Sequence, residues 1–200
     1  MQFSRREIKD IFFSWILLSL AFAVLFVGGY NGLLFENMLF SEVFALALIG
    51  SFLTAGIGFV LHELAHKYVA ESYGLVAEFK AFYNMLFLAI VFALAGFIIA
   101  APGAVMLRGA ITRERNGKIA LAGPMTNFVL AILFMIGLFF SSGFLGTILN
   151  YGLQINALLA LFNMIPFGAF DGAKIIYWSK GIYWLSVMLF LGLFISSFLI

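Results

Sequence analysis

The residues whose types and spacing can do chemistry are Leu61-His62-Glu63-Leu64-Ala65-His66. Side chains four apart lie on one face of a helix, so both imidazoles can reach a single metal ion. The carboxylate that follows the first histidine points roughly a quarter-turn away, where it can touch a metal-bound water without ligating the ion. These are the only two histidines in the chain. The plain alternative is a chance match or a pair of core histidines. An ionisable trio inside an apolar stretch weighs against it, because charge is costly there unless it serves a function. The chain has no cysteine, so disulfides are excluded and a metal site must use imidazole and carboxylate rather than thiolate.

A catalytic zinc takes three protein ligands and keeps one open position, so a third donor is required. Asp171 is the best candidate. Of the two aspartates, Asp10 lies in the amino-terminal flank, whereas Asp171 is expected to close a charge-free helix at the depth of His62 and His66. The alternative for Asp171 is a helix-end carboxylate beside Lys174. Glu71, Glu78 and Glu114 are weaker candidates, each in a charged loop with an ordinary solvated role. Upstream of the aspartate, Asn163-Met164-Ile165-Pro166 leads through Phe170 to Asp171-Gly172. Pro166 removes a backbone donor and breaks the helix, and Gly172 is expected to permit a backbone turn. The opened backbone leaves unpaired groups that an extended peptide could use. Asn163 could lend its amide to an oxyanion, or simply hold two helices together. Gly123-Pro124-Met125-Thr126-Asn127 is expected to open a helix, where proline is at home, and to need close packing.

These residues require elements that can live in lipid. Apolar residues make up 64% of the 200, and only 10% are charged, far below the quarter or so of soluble domains. About 20 helical residues cross a bilayer, which allows about five or six crossings and one compact domain over 1–200, with a three-helix core near 43–172. The net charge of +2 gives no argument for nucleic acid. Crossings are expected at Ile11 to about Val27, Val43 to about Val69, Ile119 to about Phe140, about Tyr151 to Asp171, and Ile182 to Ile200. The turns between them are expected at Gly28 to Gly32, Ser141-Ser142-Gly143 and Asn150-Tyr151-Gly152. Leu33 to Glu42 suits an external loop. Ala81 to Leu107 is expected to enter and leave on one side, as a re-entrant hairpin or as a helix with an extended return, because basic residues flank both ends. The flank MQFSRREIKD reads as an orienting segment, not a cleaved signal peptide, and places the amino terminus in the cytosol. The run is apolar to its last residue, which reads as a trimmed chain.

Together HELAH, GPMTN and NMIPFGAFDG, in this order, resemble the site-2 protease family of intramembrane metalloproteases. The resemblance covers roughly Leu61 to Gly172 and rests on those three motifs. It implies an all-α polytopic protein of the cell membrane with one zinc per chain on His62, His66 and Asp171. It also implies Glu63 as general base, and a transmembrane segment of another protein as substrate in regulated intramembrane proteolysis. Asn163 would then be a catalytic candidate, and Asn127, Pro166 and Gly172 candidates for positioning substrate. The apolar insertion Ala81 to Ala101 departs from the family pattern, being longer than expected before its membrane-embedded strand region, here Pro102 to Leu107. The rivals are a zinc-binding or zinc-transporting membrane protein without hydrolysis, a prenyl-protein protease with a glutamate as third ligand, and an inactive scaffold. A transporter would show several polar stations along a path where this chain shows one cluster, and an intact Glu63 argues against a scaffold.

Overall fold

The computed structural model describes residues 1–31, 41–98 and 102–199. The expected external loop therefore lies outside the described residues as far as position 40, as do Ala101 and Ile200. In chain order the elements are α1 (Arg5–Asn31), α2 (Glu42–Ser51), a π-helical turn (Phe52–Gly56), α3 (Ile57–Ser72), β1 (Val76–Ala81), α4 (Tyr83–Leu94), β2 (Gly103–Arg108), α5 (Arg113–Leu138), α6 (Gly143–Phe162), α7 (Asp171–Trp178) and α8 (Lys180–Ser196). Among the described residues four helical stretches are long and apolar enough to cross a membrane: Arg5–Gly28, Glu42–Ser72, Arg113–Leu138 and Gly143–Phe162. α4 and α8 are apolar but shorter. The class is that of an all-α polytopic membrane protein, with one small sheet of β1 and β2.

Several expected boundaries move, each for a physical reason. Asn150-Tyr151-Gly152 does not break a helix but lies inside α6. A Cβ on Gly152 would stand 2.6 Å from the Phe134 ring, so this glycine lets α5 and α6 approach closely instead of turning the chain. GPMTN does not open a helix either. α5 begins earlier, where the Thr112 hydroxyl accepts a hydrogen bond from the Arg115 N–H (3.2 Å), and Pro124 is interior to it. Asp171 opens α7 rather than closing the helix before it, and an irregular stretch intervenes. Gly172 is helical; its lack of a side chain is required because a Cβ would collide with the Met164 carbonyl. Ala81 to Leu107 takes the helix-and-extended-return form, α4 followed by β2. The strand β1, with its charged Glu78 and Lys80, was not expected.

The chain divides into two compact units. One comprises Gln2–Val60 and Phe79–Ala104. Its core of Ala21, Ala23, Val24, Val27, Phe44, Ala89 and Ala93 is rich in small residues, which bring α1, α2 and α4 close enough to substitute van der Waals contact for the missing hydrophobic drive. The π-helical turn leaves a carbonyl without its usual helical donor, and the Trp15 indole N–H donates to the Phe52 carbonyl (3.2 Å). The amino-terminal flank is anchored in this unit. Buried Glu7 accepts from the Phe79 N–H (2.9 Å), and Asp10 accepts from the Ala81 N–H (3.2 Å) and the Tyr83 hydroxyl (2.7 Å).

The other unit comprises Leu61–Glu78 and Val105–Ile200 with Met1. Here α5 packs on α6 and α7, and α8 packs on α6 and α7. Ala120, Ala160, Met164, Ile175, Tyr183 and Phe190 form one buried cluster, and Ala131, Leu153, Ala157 and Leu193 another. The Tyr183 hydroxyl donates to the Met164 carbonyl (2.9 Å), satisfying a backbone group in the irregular stretch before α7.

The glycine in the π-helical turn gives a direct test of this packing. A Cβ at Gly56 would run into the Trp15 ring and the Ser19 hydroxyl, whereas one at Gly192 would meet open space. Gly56→Ala should cost about 1–3 kcal/mol by overpacking, seen as a lower unfolding temperature in detergent. Gly192→Ala should be neutral or slightly stabilising. Equal unfolding temperatures for Gly56→Ala and the parent would contradict the packing described.

Candidate metal centre

The sequence HELAH lies within α3, so His62 and His66 stand one turn apart on the same face. Their Nε2 atoms are 3.0 Å from each other. The irregular 163–170 stretch then delivers Asp171 at the first residue of α7. Its Oδ2 lies 3.1 Å from His66 Nε2 and 3.4 Å from His62 Nε2. All three residues are buried, between 6% and 7% exposed. Among the described residues they are the one group of histidine and carboxylate donors placed to share an ion.

What decides the chemistry is where the protons sit. His66 Nδ1 is 2.7 Å from the Ile119 carbonyl. A carbonyl oxygen only accepts, so Nδ1 of the neutral ring carries the proton and Nε2 presents a lone pair. His62 Nδ1 is 2.6 Å from Asn127 Oδ1, again an acceptor, with the same consequence. Two imidazole lone pairs and a carboxylate oxygen thus converge with no hydrogen among them. Such an arrangement repels itself unless a proton or a metal cation is shared among the three atoms. The spacing agrees. Tetrahedral zinc with bonds of about 2.0–2.1 Å sets its ligand atoms about 3.3 Å apart, and the three separations here are 3.0, 3.1 and 3.4 Å. The donor set therefore fits zinc.

The surroundings hold this geometry. Gly123, in the middle of α5, faces the two rings, and a Cβ there would collide with Nε2 of both. This is why GPMTN needs glycine, in place of a role at a helix start. The second oxygen of Asp171, Oδ1, accepts from the Lys174 ammonium (3.0 Å), leaving Oδ2 to face the imidazoles. Lys174 is thus a partner of the aspartate, and its presence does not divert Asp171 from the centre.

The remaining candidates fall as follows. Glu63 is buried, 8% exposed, on the residue after His62, with His62, Asp171 and Lys174 as its ionisable neighbours. Asn127 does not stand free for a peptide; its amide oxygen is committed to His62 and its Nδ2 donates to Asn156 Oδ1 (2.9 Å). The Asn163 amide donates to the Leu159 carbonyl (2.9 Å) of its own helix. Pro166 is exposed, in a stretch with Phe167, Gly168 and Ala169, and Gly168 has φ +66°. The Gly172 N–H donates to the Asn163 carbonyl (2.7 Å), which ties the two ends of this stretch together. Of the rival third ligands, Glu71 pairs with Lys67 (3.1 Å) and Glu114 with Lys118 (2.5 Å). Sequence reasoning missed Asn156 and the Ile119 carbonyl. An asparagine set among apolar residues in a charge-free run was the available signal for Asn156; a backbone carbonyl leaves none.

The comparisons with known proteins bear on the same residues. No protein-family model matches the chain, and no solved structure matches it. Three curated proteins are similar. "Putative zinc metalloprotease MJ0611" of Methanocaldococcus jannaschii is 40% identical over 186 residues, covering 91% of this chain and 89% of that protein. "Zinc metalloprotease MJ0392" of the same organism is 33% identical over 127 residues, 62% of this chain and 32% of that protein. "Putative zinc metalloprotease YwhC" of Bacillus subtilis is 31% identical over 145 residues, 62% of this chain and 66% of that protein. Likeness along nearly the whole length of the first, in a chain that gathers a zinc donor set at HELAH, has one meaning: the chain belongs to the zinc metalloprotease family.

Proposed function

We propose that the protein is an intramembrane protease of the site-2 type, which cuts transmembrane segments of other proteins in regulated intramembrane proteolysis. The observation that carries this reading is where the metal donors sit. His62 and His66 are buried within Glu42–Ser72, a stretch with the length and composition of a membrane crossing, and the Gly123 that clears space for them lies in another, Arg113–Leu138. A protease whose centre is built into such helices meets its peptide bond at the level of the bilayer.

His62, His66 and Asp171 would hold the ion, and zinc so held supplies a Lewis acid that makes water a competent nucleophile near neutral pH. The chain's own residues do the rest. A Glu63 carboxylate oxygen takes a proton from the attacking water and passes it to the nitrogen of the departing amine. Residues 166–169 are exposed and outside any helix or strand just before Asp171, and in this reading their backbone pairs with an extended peptide. A substrate helix must unwind locally to use them, because its carbonyls are otherwise paired. The Asn163 Nδ2 gives one hydrogen to the Leu159 carbonyl and keeps a second, which in this reading serves the oxyanion. In this reading the protein is a multi-pass protein of the cell membrane with its amino terminus cytosolic, which Arg5, Arg6 and Lys9 before the first apolar run support.

Two measurements test this reading. Glu63→Gln keeps the shape of the side chain but cannot accept the proton, so zinc content should be unchanged. Cleavage of a labelled transmembrane-segment substrate in detergent should fall about a hundred- to ten-thousand-fold. Glu114→Gln, at an exposed surface pair, should remain active. Cleavage by Glu63→Gln at the parental rate would refute the mechanism. For orientation, a cysteine introduced at Gln2 is unambiguous because the chain has none. It should label with an impermeant reagent only in inverted membrane vesicles, and labelling only in right-side-out vesicles would reverse the assignment.

A further inference from the structure

Asn156 makes hydrogen bonds to Gly152 and Asn127, and Asn127 in turn faces His62. Asn156 and Asn127 are both fully buried, at 0% exposure. On α6 the Asn156 Nδ2 donates to the carbonyl of Gly152, one turn earlier (2.9 Å). That carbonyl can only accept, so the Asn156 amide has one orientation, with Oδ1 directed at α5. There it accepts from Asn127 Nδ2 (2.9 Å). The Asn127 amide is oriented in turn, its Oδ1 facing His62 Nδ1 at 2.6 Å. The polarity of one backbone carbonyl on α6 is thus transmitted through two side-chain amides to a ring on α3.

We infer that Asn156 is a positioning residue for the metal centre, acting through Asn127 to lock the tautomer of His62. The inference rests on the zinc reading above. An asparagine amide is nearly symmetric in shape, so Asn127 could rotate by half a turn at little steric cost. Its Nδ2 would then face His62 Nδ1 as a donor, and Nδ1 would have to become the acceptor. The ring proton would move to Nε2, the nitrogen that faces His66 and Asp171, and the site would lose one of its three lone pairs. Asn156 prevents this, because a rotated Asn127 would oppose its own Oδ1 to the Oδ1 of Asn156. Outer partners of metal-ligating histidines are typically worth tenfold to a hundredfold in metal affinity. A buried asparagine that only glued α5 to α6 would contribute to stability and leave zinc affinity alone.

The test is zinc affinity of the full chain in detergent, measured by competition with a chromogenic chelator. Asn156→Ala should bind zinc about 10- to 100-fold more weakly than the parent. Asn127→Ala should do the same, and the double variant should be no weaker than Asn127→Ala alone, because the outer residue acts only through the inner one. Asn156→Asp keeps an acceptor for Asn127 in either protonation state and should restore affinity to within about threefold of the parent. If the alanine cavity prevents folding, Asn156→Leu fills the space while removing both hydrogen bonds and should show the same loss. Zinc affinity within twofold of the parent in a folded Asn156→Ala or Asn156→Leu, or losses that add in the double variant, would overturn the inference. A parent chain that binds no zinc would overturn the metal reading itself.

Discussion

Two imidazole lone pairs and a carboxylate oxygen point into one space, and a single water has only two hydrogens to offer three acceptors. That mutual repulsion is the constraint on which the rest of the unit depends. A cation shared among them relieves it, and each group is held from behind. The Ile119 carbonyl and the Asn127 amide fix the rings, and the Lys174 ammonium takes the second carboxylate oxygen. Each of these contacts turns a donor atom inward by occupying the atom that points outward. The centre is a balance of polar groups in an apolar setting, where an unpaired group is expensive and a paired one is rigid.

The packing around the centre follows from the same need. α5 must pass close enough to α3 for its backbone to border the imidazoles, and only glycine at 123 allows it. α7 must begin where Asp171 reaches the same space, so α6 ends at Phe162 and the chain runs irregularly to residue 170. Gly172 then lets the start of α7 lie against the Met164 carbonyl. Residues 166–169 of this detour are exposed. One local distortion thus aims the carboxylate at the two imidazoles.

The site was legible in the sequence where its information is local. HELAH states its own geometry because a helix fixes the relation of residues four apart, and Asp171 stood out as a charge in a long charge-free run. The spans were legible as apolar stretches, though their limits were not. Gly152 and Asn150 read as a turn because those residues mark turns in water, but in a membrane helix glycine serves close approach, here to Phe134. Pro124 misplaced a helix start for a similar reason: the Thr112 cap lies three turns upstream. The strand β1 carries alternating charge and apolar residues over too few positions to announce itself beside a helix end. What no local pattern could disclose was the reach of Asn156 through Asn127 to His62, since that relation exists only once α3, α5 and α6 are packed together.

The central claim is that His62, His66 and Asp171 together hold one zinc, and the most direct measurement is metal content of the purified chain by elemental analysis. The account predicts one zinc per chain in the parent protein. It predicts a large loss in Asp171→Ala, because two imidazoles alone are a poor site for an ion that takes three protein ligands and keeps a fourth position open. Undiminished zinc in a folded Asp171→Ala would contradict the account and place the third ligand elsewhere.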